Sequence, residues 1–341
     1  MNITAVAQRA RVSTATVSRV INGTAIVSAE TAERVREAIE ALNFYPDINA
    51  RALGSGRSGL YGLIISDITN PYFPELVKSF EDIAVEHGQD ILIANTDYDP
   101  KRMEACVIRM LQRKVDGVAI MTSEMEDHLL RNFNNRQIPV IFMDTPKTVR
   151  GASTVRVDYA AGVQQAMDHL FSLNHRRIGF LSGPLALSSA RVRADAFTDC
   201  LREHGVASDP RFVQEGDHRV EGGRAAMQRI LDSGKLPTAV MASNDLTAIG
   251  AMGALHDAGL RIPEDISVIG FDDIELSAYT RPALTTLQVP RRELAETAFR
   301  SLYRGRNEED VKRSLKREHV IQPKLIIRQS TALASKARSA K

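Results

Sequence analysis

Apolar residues recur at two different periods along this chain, and the change of period near residue 60 divides it. Ile3, Val6, Ala7 and Ala10 fall at i, i+3, i+4 and i+7, the buried stripe of a short helix. Ser13 stands where an N-cap is needed, its hydroxyl able to accept from the free N–H groups of a second helix. That helix buries Val17, Val20 and Ile21 and turns Thr14, Ala15, Ser18 and Arg19 outward. Ser28 caps a third helix, with Glu30 and Glu33 near its positive end and Val35, Ala38, Ile39 and Leu42 at helical spacing. Pro46 ends this unit, Asp47 can cap a short stretch running to Leu53, and Gly54-Ser55-Gly56-Arg57-Ser58-Gly59 reads as a flexible linker.

From Leu60 the pattern alternates between strands and helices. Strands are expected at 60–66, 90–95, 116–121, 139–143, 154–158, 177–182, 238–243 and 266–271, and helices at 74–88, 100–113, 159–174, 190–204, 222–233 and 245–258. Apolar strand runs separated by amphipathic helices imply parallel sheet covered on both faces. The span is too long for one sheet of ordinary width and fits two α/β lobes. Late strands near 284–288 and 319–328 flank a helix at 290–303, so the chain is expected to pass between the lobes more than once. The expected organisation is a helical headpiece at 1–46, a hinge and linker at 47–59, a two-lobed α/β domain at 60–330, and a small, basic, disordered tail at 331–341.

The net charge of +2 gives no global sign of a nucleic-acid partner, so any such partner must be met by a local patch. Residues 1–57 hold seven arginines and five acids, and no acid precedes Glu30 while Arg9, Arg11 and Arg19 are already present. Two cysteines, Cys106 and Cys200, make no disulfide framework, and Cys106 shares an apolar face with Met103, Val107 and Met110. With no secretory leader and no apolar run of spanning length, a cytoplasmic protein with no membrane partner is expected.

Gly54, Gly56 and Gly59 spell G-x-G-x-x-G, but a dinucleotide site needs that pattern after a strand and before a helix. Here it precedes the strand. Phosphate-loop, zinc-protease, C-x-x-C and nucleophile-elbow motifs are absent, so neither an enzyme nor a cofactor or metal is expected. Residues 3–22 could be a helical hairpin capping a larger domain. Against that stand the missing acids, the small residues at the exposed start of the second helix, and Arg19 one turn on. Threonine and alanine let a helix approach base edges, and an arginine there can pair with guanine O6 and N7.

The run V-A-x-x-A-x-V-S-x-x-T-V-S-R-V-x-N at 6–22, followed by V-S-x-x-T-x-x-R-V at 27–35, resembles the lactose-repressor/galactose-repressor (LacI/GalR) family of bacterial transcription regulators. The resemblance continues through Pro46–Leu53, Gly183-Pro184-Leu185, Ser189–Arg193, Ala242-Ser243-Asn244-Asp245, Ile262–Asp265 and Gly270-Phe271-Asp272-Asp273. It implies a helix-turn-helix headpiece on a two-lobed, periplasmic-binding-protein-like sensor, and a homodimer reading a palindromic operator in double-stranded DNA. By that resemblance Thr14, Ala15 and Arg19 read bases in the major groove, and Thr16, Ser18 and Asn22 touch phosphates. Ala50 and Arg51 line the minor groove, with Leu53 wedged between base pairs.

Asp67, Tyr72 and Phe73 of one lobe and Arg193, Asn244 and Asp272 of the other would meet a small effector. An arginine, an amide and a carboxylate suit vicinal hydroxyls, hence a carbohydrate-like ligand. Asp158 reads equally as ligand contact or helix N-cap. His218 stands where related regulators place an aromatic lid, and Leu187 where the purine-binding member has arginine. The expected function is repression under effector control, and the alternative is an activator or dual regulator controlled by another metabolite or a partner protein.

Overall fold

A computed structural model describes residues 2–23, 27–45, 57–121, 125–144, 149–304 and 319–334. They form two compact units, Met1–Gly59 and Leu60–Lys341. In the first, α1 (Ile3–Ala10), α2 (Thr14–Asn22) and α3 (Ala29–Ala41) enclose a small core of Val6, Ala7, Ala10, Val17, Val35 and Ala38. Each helix start is held by a side chain. Asn2 Oδ1 accepts from Ala5 N, Ser13 Oγ from Thr16 N at 3.1 Å, and Ser28 Oγ from Thr31 N. Arg11 turns the chain between α1 and α2 in the left-handed region, φ 55°.

The second unit holds two parallel sheets. The first lobe contains β1 (Leu60–Ile65), β2 (Asp90–Asn95), β3 (Gly117–Met121), β4 (Val140–Met143), β5 (Ser153–Val157) and β11 (His319–Ile321), ordered β11-β5-β4-β3-β1-β2. Ile65 pairs with both Asn95 and Met121, so the carboxyl ends of the central strands line up. Helices α4 (Tyr72–Glu86), α5 (Pro100–Gln112) and α6 (Asp127–Asn134) belong to this lobe, with α11 (Arg291–Arg304) packed on α4. The rings of Tyr61, Phe80 and Phe299 meet between sheet and helices, with centroids 5.1 and 5.5 Å from Phe299. Each such buried side chain contributes roughly 1.5–3 kcal/mol.

The second lobe contains β6 (Ile178–Ser182), β7 (Val213–Glu215), β8 (Ala239–Ala242) and β9 (Ser267–Ile269), ordered β7-β6-β8-β9. Its helices are α7 (Tyr159–Ser172), α8 (Ser188–Glu203), α9 (Val220–Asp232) and α10 (Asp245–Asp257). The last two touch backbone to backbone: a Cβ on Gly250 would lie 2.0 Å from the Val220 carbonyl oxygen. The chain crosses between lobes three times, at Asp158, at Val289-Pro290 and at Gln322-Pro323. Beyond the crossings, β10 (Thr286–Gln288) and β12 (Lys324–Ile326) pair antiparallel.

Several expectations needed correction. The expected strand at 319–328 is two three-residue strands in different sheets, interrupted by Pro323, which has no N–H for a ladder. Two elements were not foreseen, β7 and α6. The first is a three-residue strand with one apolar residue, and the second is only eight residues long. Residues 331–334 are not a disordered tail. Ala332 and Ala334 donate to Ser267 and Leu173, and the Ala332 carbonyl accepts from His175. The hinge stretch 46–56 and residues 335–341 lie outside the described residues. Gly59 immediately precedes β1, as the reading against a dinucleotide loop requires.

Candidate functional site

On the headpiece, Thr14, Ala15 and Arg19 are exposed on α2, whereas Thr16 and Ser18 are half-buried. The Thr16 hydroxyl lies 2.9 Å from Ser13 Oγ and so belongs to the cap that starts the helix. Asn22 ends α2; its side chain, like Ala50, Arg51 and Leu53, lies outside the described residues. Two of the four acids of α3 are paired within their own helix, Glu30 with Arg34 and Glu33 with Arg36. Among the described residues Arg9, Arg11 and Arg19 have no acidic partner, so α1 and α2 present uncompensated positive charge.

In the second unit, a cavity of about 560 Å³ including its mouth opens between the lobes. The first lobe supplies the carboxyl ends of β1, β3 and β4 and the start of α4. Asn70 Oδ1 accepts from Tyr72 N, fixing the turn that presents Tyr72 and Phe73, whose rings stand edge to face at 5.6 Å. Asp144 follows β4 in the left-handed region, and its carboxylate accepts the Tyr159 hydroxyl. Burial pushes that carboxyl up to about 6, against the opposing pull of Tyr159 and Arg193.

The second lobe supplies Arg193 from α8, Asn244 before α10, Asp272 after β9, and His218. Arg193 is 5% exposed, with its guanidinium 4.2 Å from the centre of the Tyr159 ring and 5.1 Å from that of Phe271. Its Nε donates to Ser189 O at 3.0 Å and its Nη1 to Ser243 O. Asn244 accepts from Thr247 N through Oδ1 and donates to His218 O through Nδ2. His218 holds φ 64°, and its Nε2 is buried without a partner above Gly183, where a Cβ would lie 1.9 Å away. Burial, then the charge of Arg193, lowers its imidazole to about 3, so it is neutral. Asp272, at φ 111°, is pushed up by burial to about 7 against Arg193 and Arg291.

At the mouth, Arg219 of the second lobe reaches Asp67 at 3.2 Å and Asp97 at 3.5 Å in the first. Burial pushes the Asp67 carboxyl up. The Thr69 hydroxyl and amide and Arg219 outweigh it and hold the group below its ordinary value. Arg291 joins the lobes at the back, pairing with Glu75 at 2.7 Å and donating to the carbonyls of Asp272 and Asp273.

The structure therefore brings Tyr72, Phe73, Arg193, His218, Asn244 and Asp272 to one cavity. Asp67 is placed elsewhere, and for Asp158 the N-cap alternative holds. Asp67 belongs to the rim bridge, and Asp158 caps α7 through Ala161 N while its second oxygen accepts from Gln322. A carboxylate so engaged by two crossing segments does not line the cavity. Asp144, Tyr159 and Arg291 were missed. The first carried a signal, a carboxylate directly after an apolar strand, at the strand end where parallel sheets place ligands.

Residues 2–47 match the family described as "Bacterial regulatory proteins, lacI family", and residues 167–331 match the "Periplasmic binding protein-like domain". The HTH-type transcriptional repressor PurR of Pasteurella multocida is 34% identical over 95% of this chain and 97% of its own. The lac repressor dimer bound to operator and an anti-inducer superposes with a TM-score of 0.85 at 28% identity, over 97% of this chain and 99% of that one. A LacI family regulator of Enterococcus faecium with bound ribose gives 0.72 at 29% identity, over 81% and 100%.

Proposed function

The chain belongs to the lacI family of bacterial transcription regulators, and from that premise we propose that it is a repressor whose operator binding is set by a small carbohydrate-like effector in the interlobe cavity. The carrying observation is the pairing of two differently made surfaces. One is a capped helix presenting Thr14, Ala15 and an Arg19 without an acidic partner among the described residues; the other is an interlobe cavity lined by both Arg193 and Asp272. A helix of small residues with an arginine one turn on fits a major groove. A guanidinium and a carboxylate facing one space fit neighbouring hydroxyls of a sugar. The bound ribose of the Enterococcus faecium relative supports the same ligand class.

In this reading two copies bind a palindromic site, Thr16, Ser18 and Asn22 meet phosphates, and Ala50, Arg51 and Leu53 enter the minor groove between half-sites. The effector acts only as far as its affinity differs between two lobe arrangements. The test is selection of bound duplexes from a random library, followed by release with sugars. A palindrome of two half-sites whose occupancy a sugar changes supports the reading. An asymmetric single site, or a palindrome that no small molecule affects, overturns it.

A further inference from the structure

Resting on the reading of the cavity as an effector site, we propose that Arg291, which lies outside the cavity, is the positioning residue that aims the Asp272 carboxyl into it. Asp272 lines the cavity, yet among the described residues no donor makes a hydrogen bond to its carboxyl oxygens. The direction of that carboxyl therefore depends on the backbone that carries it. This backbone is not one that the two residues adopt unaided. Asp272 and Asp273 follow one another at φ 111° and 55°, in the left-handed region that disfavours side chains, so their surroundings must hold them there.

On one side Asp272 N donates to Leu287 O at 2.8 Å. On the other the guanidinium of Arg291 forks onto two successive carbonyls, Nη1 to Asp272 O at 2.7 Å and Nη2 to Asp273 O at 2.9 Å. Nη2 also meets Glu75 Oε2 at 2.7 Å, and Glu75 Oε1 accepts from Glu275 N at 3.0 Å. One ion pair thus grips three backbone atoms of the segment 272–275. The Asp273 carboxylate is secured separately, by Arg328 at 2.6 Å and Gln288 at 2.8 Å, so what Arg291 adds falls on Asp272. The pair is largely enclosed, Arg291 at 16% and Glu75 at 27% exposure. A lysine there would keep the charge, but its single ammonium lacks the planar fork. Glu75 follows Tyr72 by three positions on α4, and the guanidinium lies 5.9 Å from the centre of the Tyr72 ring. The same brace therefore ties the Asp272 wall of the cavity to the Tyr72 wall.

Hydrogen exchange and ribose binding by the full-length protein test the proposal. In ligand-free Arg291→Lys, peptides covering 272–275 are expected to exchange about tenfold faster than in wild type, with those of β6 unchanged. Should that variant lose its circular-dichroism signature, Glu75→Ala, which frees Glu275 N and one side of Arg291, is expected to show the same pattern. Ribose affinity, read from thermal shifts at rising concentration, is expected to fall about tenfold in Arg291→Lys. The same change made in Asp272→Gly, which has no carboxyl left to aim, is expected to cost less than about twofold. Unchanged exchange at 272–275 overturns the proposal, as does an equal loss of ribose affinity in the two backgrounds. If ribose shifts no form of the protein, that result counts against the effector reading, and the exchange at 272–275 still decides whether Arg291 holds Asp272.

Discussion

The outward face of α2 and the interlobe cavity solve recognition in opposite ways. On α2 the key side chains are exposed, and Arg19 has no acidic partner among the described residues. In the cavity Arg193 is almost wholly buried, stacked and tied to two carbonyls, and Asn244 is engaged at both its amide atoms. A surface that meets a polyanion can leave its donors to be completed by the partner, since water serves them meanwhile. Groups buried in a cavity wall have to find most of their partners within the protein and leave only a few free for a ligand.

The largest expected effect separates the two regions. On the proposed reading, Arg19→Ala removes one base contact from each half-site, and a bidentate pair carries about 1–3 kcal/mol. A dimer would therefore lose roughly 30-fold to 10⁴-fold in operator affinity, measured by fluorescence anisotropy, with ligand-induced thermal shifts unchanged. Retained discrimination between operator and random DNA would show that another residue reads the sequence.

A smaller effect probes the self-sufficiency of the cavity. The Asp144 carboxyl lies at about 6 in the folded protein against an ordinary 3.8. Stability from its protonated form is fully present below about pH 4 and is lost as pH rises through 6. Asp144→Asn escapes that loss, so its melting temperature relative to wild type should rise between pH 5 and pH 8, by about 2 °C or more. A difference that stays flat across this range would mean that Asp144 is not desolvated as described.

The smallest effect lies at the rim, where Arg219 and Asp97 are half-exposed although Asp67 is buried. Arg219→Ala breaks the bridge to Asp67 and Asp97, and exposed pairs contribute about 0.2–1 kcal/mol. Urea unfolding should register a loss of that size at low ionic strength and nearly none at roughly 1 M salt. A loss that persists at high salt would move Arg219 from the rim class to the buried one.

The same contrast explains what was legible in the sequence. The headpiece could be read locally, because caps and stripes are set by residues three or four apart: Ser13 and Ser28 cap where spacing placed them. The alternation of strands and helices was equally plain, and two short elements, β7 and α6, escaped. The cavity is assembled from positions 66 to 272 in chain order, and family resemblance rather than spacing located Arg193, His218 and Asn244. Burial of a charge cannot be read from an isolated residue. Arg193 has the sequence context of a solvated helix position, and only the rings of Tyr159 and Phe271 explain its place. Asp158 shows the converse. Its chemistry allowed a ligand contact, but the backbone of α7 and Gln322 claimed it first.

Three crossing segments join the lobes, and the first and third are tied by Asp158 N donating to Ile321 O and by Gln322 donating to Asp158. These bonds hold two of the crossings side by side, so a change in lobe angle has to pass through them together. β5 and β11, which run into the joint, sit at one edge of the first sheet, and β2 forms the other. On the proposed reading, an effector that turns one lobe about this joint would displace β2, at the far edge, more than β11 beside it.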